Sequence, residues 1–504
     1  MSQSQQERTA GGGPRTYSHW RRPTGGGLGP LTVAGTGLLL GGGVVTVVMA
    51  VFVKSLLAAV VAALLTAVAL AATTVPVAGR PVVVRLAGWV AYRRSRSTRR
   101  YLYAAGVVAP VGTGRHQLPG IASGTRLWDC VDAYDQPFAL IQATATHDFS
   151  VAVRCSSTGA ELVDQVAVDR QVARWGEFLA QLGLEEHLIG CSVTVQTAPD
   201  PGVALTQLLA AQRGQDPPAL AVQVMAEIAD TYPQASAVVD TVVQFTWSGI
   251  AEGRRRPVAE MAADIGASVP ELLQLLVGTG AGTRPRAMGS AAVSAFVRRA
   301  YDPAQSTAIA ALGDAGAGID WDDAGPVSHT AQRDSYTHDS GHTVVWSMSR
   351  PPRGVVHSDV LHDLLAPHDR IAVKRVTLLY RPFDPKLAAD TVDHDVQAAD
   401  FKTGQQTRVT ARDRADSLAA AQAAEEEAAG AGLVAFGMLV SATVTDPADL
   451  PRARATVQNR LAGPARIALR PCYGYQPAAF AATLPTGIVL PRHTLLGRVK
   501  AKAG

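Results

Sequence analysis

Residues 31–53 read LTVAGTGLLLGGGVVTVVMAVFV and residues 55–77 read SLLAAVVAALLTAVALAATTVPV, with Lys54 alone between them. At about 1.5 Å per residue, either run is long enough as a helix to cross a hydrocarbon core of roughly 30 Å. Together they are too long for one span. The pattern therefore predicts a tight hairpin of two transmembrane helices, 31–53 and 55–77, within a segment 28–79. Everything after Arg80 is then the part that the hairpin holds at a membrane.

The flanks give the hairpin a direction. Arg15, Arg21 and Arg22 precede it with Trp20, and Arg80, Arg85, Arg93, Arg94, Arg96, Arg99 and Arg100 follow it with Trp89 and Tyr92. The positive-inside rule puts both flanks in the cytoplasm and only the turn near Lys54 outside. The expectation is a multi-pass protein of the cytoplasmic membrane with most of its chain cytoplasmic. The arginines after the hairpin are also candidates for contact with anionic membrane lipids, at about 1 kcal/mol each near such a surface. Ala69-Leu70-Ala71 resembles a signal-peptidase site, but a cleavable signal has one apolar core of roughly 7–15 residues and this region has two longer ones. Gly35, Gly37 and the run Gly41-Gly42-Gly43 offer a face that another membrane helix can approach closely. Simple tolerance of Gly in lipid explains them equally well.

The rest of the chain is globular in composition: of 504 residues, 47% are hydrophobic and 17% charged. The net charge of +4 is mild for this length and much of the excess is local. That pattern marks a positive region and makes direct nucleic-acid binding an unfavoured expectation. Cys130, Cys155, Cys191 and Cys472 are widely separated, with no C-x-x-C pair. This spacing suits reduced thiols better than a disulfide framework or a zinc site.

Residues 1–27 lack hydrophobic periodicity and read as a flexible cytoplasmic tail, and 80–125 as a basic juxtamembrane segment. A first α+β lobe is expected over 126–302. Its strands are predicted at 127–134, 138–145, 149–156, 187–197 and 237–247, and its helices at 160–182, 203–213, 219–231 and 290–301. Pro270 is expected to open one further helix, which Gly278 closes. Residues 303–342, rich in Gly, Asp, Ser and His, read as a linker. A second α+β lobe over 343–490 has strands at 343–348, 370–380, 433–444 and 466–470 and helices at 385–401, 411–429 and 446–461. Residues 491–504 form a C-terminal tail. Both orders suggest layers of the split-βαβ kind. The similarity hints at a duplication, with no repeated sequence to support it.

Signals for chemistry are weak. None of the six Lys follows a Gly, so a Walker A loop is missing. Gly278-Thr279-Gly280-Ala281-Gly282 follows a helix and runs toward Pro285, the reverse of a phosphate loop. Half of the His residues (His329, His338, His342, His357, His362 and His368) fall in one region, and His338 and His342 have a spacing that suits a metal on a helix. Gly341 and the β-rich TVVW that follows argue against a helix there. Asp129, Asp132, Asp135, Asp322 and Asp323 are acid–base candidates whose ordinary role is in turns and strand edges. No catalytic, cofactor or metal residues are assigned.

Four stretches carry a family resemblance: FVRRAYDP at 296–303, IDWDDAGP at 319–326, LLYRPFDP at 378–385 and LRPCYGYQPAAFAATLP at 469–485. With the strand GLVAFGMLVSATV, they resemble the N-terminal, non-motor region of type IV secretion ATPases of the CagE/TrbE/VirB group. The hairpin with trailing Arg is similar to the small PrgI-type membrane subunits found beside such ATPases. The whole resembles an actinobacterial family of two-span proteins in conjugation clusters. The ATPase group continues into a motor domain that has no counterpart in this sequence. The resemblance therefore implies a non-enzymatic scaffold that docks a separately encoded ATPase and other membrane subunits of the secretion complex, with self-association left open. An EccE-like component of a type VII secretion complex shares the two spans and the cytoplasmic α+β domain. A membrane-tethered enzyme acting on lipid or cell-wall precursors is the alternative of a different class, with the region 329–368 as its candidate site.

Overall fold

In the computed structural model the described residues are 33–494, apart from 75, 78–79, 107–116, 157–162, 201, 213, 215–216, 232–235, 283, 353–355, 405–410, 429 and 431. The tail expected over 1–27, with Arg15, Trp20, Arg21 and Arg22, lies outside them, as does residue 495 onward. They divide into two compact units. The first holds the apolar hairpin, the basic segment to Arg99 and residues 384–431; the second holds residues 100–383 and 432 onward.

In the first unit, α1 (Val33–Val51) and α2 (Leu56–Thr74) are the two apolar helices, each of 19 residues. Lys54 sits in the turn at φ 51°, and the Ser55 hydroxyl accepts the Ala58 N–H to start α2. Of the described helices, α2 is long and apolar enough to cross a membrane, and Gly35–Val51 of α1 is a shorter apolar helix. The segment read as a basic juxtamembrane stretch contains a helix that the sequence did not suggest, α3 (Val82–Ser97). Its β-branched Val82-Val83-Val84 start looks like a strand, while Arg94 and Arg96 in the last turn favour a helix by opposing its dipole.

The second unit is built on one antiparallel sheet of 13 strands. In chain order these are β1 (Leu102–Ala104), β2 (Thr125–Val131), β3 (Pro137–Ala143), β4 (Asp148–Cys155), β5 (Leu188–Pro199), β6 (Ala237–Ser248), β7 (Arg286–Ala287), β8 (Ser328–Ala331), β9 (Tyr336–His338), β10 (Gly341–Arg350), β11 (Val373–Pro382), β12 (Val434–Val444) and β13 (Ala468–Pro471). Across the sheet the order is β1-β8-β9-β10-β12-β11-β5-β6-β4-β3-β2, with β7 beside β4 and β13 beside β10. The chain is thus α+β with a large antiparallel sheet.

The order repeats when read from either side toward the centre. A meander (β2-β3-β4 or β8-β9-β10) is followed by a strand that lands two places away (β5 or β11). The next strand (β6 or β12) then fills the gap, so β4 runs parallel to β5 and β10 to β11 with an antiparallel strand between. At the centre, β5 and β11 pair antiparallel, and Thr194 and Thr377 meet there with hydroxyls 2.9 Å apart. Equivalent hydroxyl pairs recur on either side, Ser150–Thr246 at 2.8 Å and Thr343–Thr443 at 2.7 Å. The added short strands also correspond: Met288 N–H donates to the Ala152 carbonyl, and Cys472 N–H to that of Val345. The two halves therefore share one topology about a pseudo-two-fold centre. They are joined edge to edge into a single sheet, where two separate lobes were expected.

Residues 303–342, expected as a linker, hold α9 (Ser306–Gly316) and the strands β8 and β9. The buried residues of those strands are His329, Tyr336 and His338, so no run of aliphatic residues marks them. Further helices are α4 (Gln165–Gln181), α5 (Val203–Ala211), α6 (Ala219–Thr231), α7 (Val258–Leu276), α8 (Ser290–Tyr301), α10 (Pro385–Gly404), α11 (Ala411–Ala428), α12 (Leu450–Ala455) and α13 (Gln476–Ala481). The pair α5–α6 connects β5 to β6, and α10–α11 connects β11 to β12.

Pro270 does not open a helix; it lies inside α7. A Pro there leaves the carbonyl four residues back without its helical donor. That carbonyl belongs to Gly266 and accepts the Ala133 N–H at 3.1 Å instead. Gly266 has no Cβ, which would stand 3.0 Å from the Val131 carbonyl. A partner outside the helix thus replaces the lost bond.

On one face of the sheet a single core runs through both halves, packing Ile141, Ala152, Val345 and Leu439 under Phe296 of α8 and Phe480 of α13. The other face carries two separate cores. Phe149, Phe245 and Trp247 pack under Phe178 of α4 and Ile265 of α7. Val344, Trp346 and Val440 pack under Ala453 of α12 and Val457 and Leu461 of the π-helical turn that continues it.

Candidate functional site

The hairpin has its side chains arranged in the reverse of the sheet. Along α2 the less exposed residues are Ala58, Ala59, Ala62, Thr66, Ala69, Leu70, Ala72 and Thr73; all but Leu70 are small, and Ala59, Ala62, Thr66, Ala69 and Thr73 form a heptad-like row. Gly35 and Gly42, one heptad apart on α1, lie on the covered side, and a Cβ added at Gly42 would overlap the Thr66 side chain. The large residues point away: Leu40, Val44, Val47 and Val51 on α1, and Leu56, Leu57, Leu64 and Leu65 on α2, are all more than half exposed. Water would drive those side chains inward, at about 1.5–3 kcal/mol for each one buried. Small residues at the seam with large ones outside is the packing of helices that meet in lipid. Of the five glycines expected to form a packing face, Gly42 faces Thr66 of α2 and Gly35 is buried. Gly37, Gly41 and Gly43 are exposed, with nothing within 4 Å of an added Cβ.

Helix α3 carries the basic cluster and buries none of its residues. Its first half is apolar (Val82, Val83, Val84 and Leu86) and its second half is basic (Arg93, Arg94 and Arg96), with Arg85 inside the apolar part. Trp89 and Tyr92 stand at the junction, where the Arg93 guanidinium lies 4.9 Å from the centre of the Trp89 ring and that of Arg96 lies 6.0 Å from Tyr92. Arg80 lies in a two-residue ladder where it pairs with Val77, Arg99 adopts φ 55°, and Arg100 follows in the turn before β1. Before Asp129 the chain holds 14 basic side chains and one acidic, Glu7; the remainder holds 32 basic and 41 acidic. The small overall charge is the difference between two segregated ones.

The chemical candidates resolve into structural roles. His338 is fully buried, with Nδ1 2.6 Å from the Tyr301 carbonyl and Nε2 2.8 Å from the Thr343 hydroxyl. Burial pulls its pKa down to about 3 and that of His329 to about 4. His342 pairs with Thr337 across the hairpin while His338 pairs with Gly341, so the two imidazoles project from opposite faces of the sheet. They share no metal geometry, and among the described residues no group of three or more His, Cys, Asp or Glu converges on one point. His357 and His362 are exposed, and His368 pairs with Asp369 at 2.8 Å. Asp132 accepts the N–H groups of Tyr134 and Gln136, and Asp135 occupies the same turn at φ 58°. Asp129 accepts from Ser290, and Asp322 lines a polar cavity of about 220 Å³ with Arg126 and Thr144. The glycines of 278–282 end α7 with φ values of 82°, 88° and 106° and open no helix.

Three of the four motifs that carried the family resemblance, 296–303, 319–326 and 469–485, come together in the shared core. Arg298 is buried and donates to the Gly325 carbonyl and to Asp302 and Asp339, tying α8 to the β9–β10 turn. Gln476 bonds both N–H and C=O of Val345, and the Trp321 indole donates to Thr125. The Phe480 ring lies 5.2 Å from Tyr301, 5.4 Å from Tyr336 and 4.6 Å from His338. Comparison with protein-family models and with curated protein sequences finds no match.

Sequence reasoning missed α3 and the small-residue seam of α2. The seam was legible as the Ala59–Ala62–Thr66–Ala69 spacing. The helix was not, because its Val run and Arg run each suggested something else.

Proposed function

We propose that the chain is a non-enzymatic scaffold of the cytoplasmic membrane, anchored by the two-span hairpin and held at anionic lipid by α3. Its sheet unit docks a separately encoded ATPase and other membrane subunits at the inner face of a type IV secretion-like conjugative apparatus. The observation that carries the anchor is the reversed packing of the hairpin, small residues inside and large apolar ones outside, continued by a helix that turns from apolar to basic at Trp89 and Tyr92. The assignment to conjugation rests on the resemblance of the 296–303, 319–326, 378–385 and 469–485 motifs. The absence of a Gly-Lys loop anywhere in the sequence supports a docking role over a motor.

Two experiments test it. In intact cells a thiol introduced by Lys54→Cys should react with an impermeant maleimide, whereas one introduced by Ser97→Cys should react only after lysis. Labelling of the second from outside defeats the topology. Affinity purification from detergent-solubilised membranes should recover a secretion ATPase. Recovery of type VII channel subunits transfers the scaffold to that system, and recovery of the chain alone with a bound small molecule defeats it.

A further inference from the structure

The two edges of the sheet are treated differently although the halves share one topology. On the second half, β1 lies along the outer side of β8: Ala331 N–H donates to the Tyr101 carbonyl, Ala105 N–H donates to that of Val327, and Tyr103 stacks on His329 at 5.3 Å. The equivalent strand of the first half, β2, has no such cover among the described residues. Its bonds to the β3 side use even-numbered positions, as Thr144 N–H to the Gly124 carbonyl and Asp132 N–H to that of Gln136 show. The odd-numbered residues therefore direct their backbone outward. At one end the Trp321 indole occupies the Thr125 carbonyl, and at the other Ala133 is held by Gly266 of α7. Between them, the outward N–H and C=O groups of Leu127 and Asp129 meet no partner among the described residues. Trp128, Val131 and Tyr134 beside them are 38%, 59% and 72% exposed. No Lys or Pro guards the strand.

We infer that β2 pairs antiparallel with β2 of a second copy of this chain, centred on Trp128, so that one sheet continues through a dimer. The register follows from the groups present. With Trp128 opposite itself, Leu127 of each copy exchanges both backbone hydrogen bonds with Asp129 of the other, and Arg126 lies opposite Cys130. Centring on Asp129 would oppose two carboxylates directly. Centring on Leu127 would put Thr125, whose carbonyl the Trp321 indole holds, in the pair next to the centre, whereas the Trp128 register makes both central pairs without it. The Trp128-centred register also brings two half-exposed indoles together at a non-hydrogen-bonded position, where Cα atoms stand about 4.5 Å apart. This pairing goes beyond the proposed docking role and does not depend on which secretion system the chain serves.

The full-length protein in detergent or nanodiscs tests it by disulfide trapping. Under mild oxidation Arg126→Cys should form a covalent dimer through Cys130 of the other copy. Wild type should not, and neither should Tyr134→Cys, whose position is more exposed but outside the pairing. Asp129→Pro removes an outward N–H and leaves the β2–β3 ladder intact. Combined with Arg126→Cys, it should abolish trapping with near-ultraviolet circular dichroism unchanged. Equal trapping of Tyr134→Cys, no dimer from folded Arg126→Cys, trapping that survives Asp129→Pro, or capture of a different polypeptide would each overturn the pairing.

Discussion

The hairpin and the sheet obey opposite rules with the same apolar alphabet. In the sheet unit Phe149, Phe245, Phe296, Trp346 and Phe480 are fully enclosed. In the hairpin the enclosed positions are Gly and Ala while Leu and Val face out. The hydrophobic effect explains the first arrangement and opposes the second in water. In lipid the apolar driving force between helices vanishes and close backbone approach decides the packing. The difference is what the proposed membrane anchor would account for, since it gives the two regions two different solvents.

The sharpest way to break that comparison is to truncate a large side chain in each region. Phe245→Ala should cost about 3–5 kcal/mol of sheet stability in urea titrations, because an enclosed ring leaves a cavity. Leu64→Ala, at a residue 64% exposed, should leave the thermal stability of the solubilised hairpin unchanged within about 0.5 kcal/mol. A large loss at Leu64 would mean that the hairpin has an ordinary core.

Acid separates the regions next. His338 and His329 have folded pKa values of about 3 and about 4, below their ordinary value of about 6.5. Between those limits the unfolded chain binds more protons, so sheet stability falls as pH drops below about 6.5 toward 4. The expected slope is about 1.4 kcal/mol per pH unit for each His once the unfolded form is protonated. His338→Gln should reduce the slope measured by denaturant titration at stepped pH by one proton. Residues 31–77 contain no His, Asp or Glu, so the helicity of the hairpin in detergent should not change over the same range.

Smaller effects sharpen the seam and the basic helix. Gly42→Leu collides with Thr66 and should cost about 1–3 kcal/mol in hairpin packing, read as the loss of close α1–α2 crosslinks. Gly37→Leu, in open space, should retain the crosslinks. Replacing Arg93, Arg94 and Arg96 by Gln should weaken the dependence of Trp89 fluorescence on anionic lipid in nanodiscs by roughly fivefold per arginine. An unchanged response would confine those residues to setting orientation.

Much of the element order is legible in the hydrophobic periodicity of the chain. Ser290–Tyr301 and Ala219–Thr231 form the helices that their periodicity predicts, and β3 to β6 fall within a few residues of their predicted bounds. The failures have specific causes. Helix α7 runs through Pro270 because Ala133, far away in sequence, supplies the donor that Gly266 lost. Strands β8 and β9 lack an aliphatic pattern because they bury His and Tyr instead. The spacing of His338 and His342 suggested a shared ligand, but they lie on paired strands where His342 stands across from Thr337, the neighbour of His338, so they face opposite ways.

What the sequence by itself determined is the local and the segregated: two long apolar runs, the basic cluster after them, and the alternation of strands and helices. These follow from one residue and its near neighbours, which set hydropathy, period and charge. Only the tertiary structure decided that the two lobes are one sheet. Their junction is a backbone ladder between β5 and β11, centred on two threonines 183 residues apart. Backbone hydrogen bonds are the same for every residue type, so the choice of a neighbouring strand leaves no mark on the residues that make it.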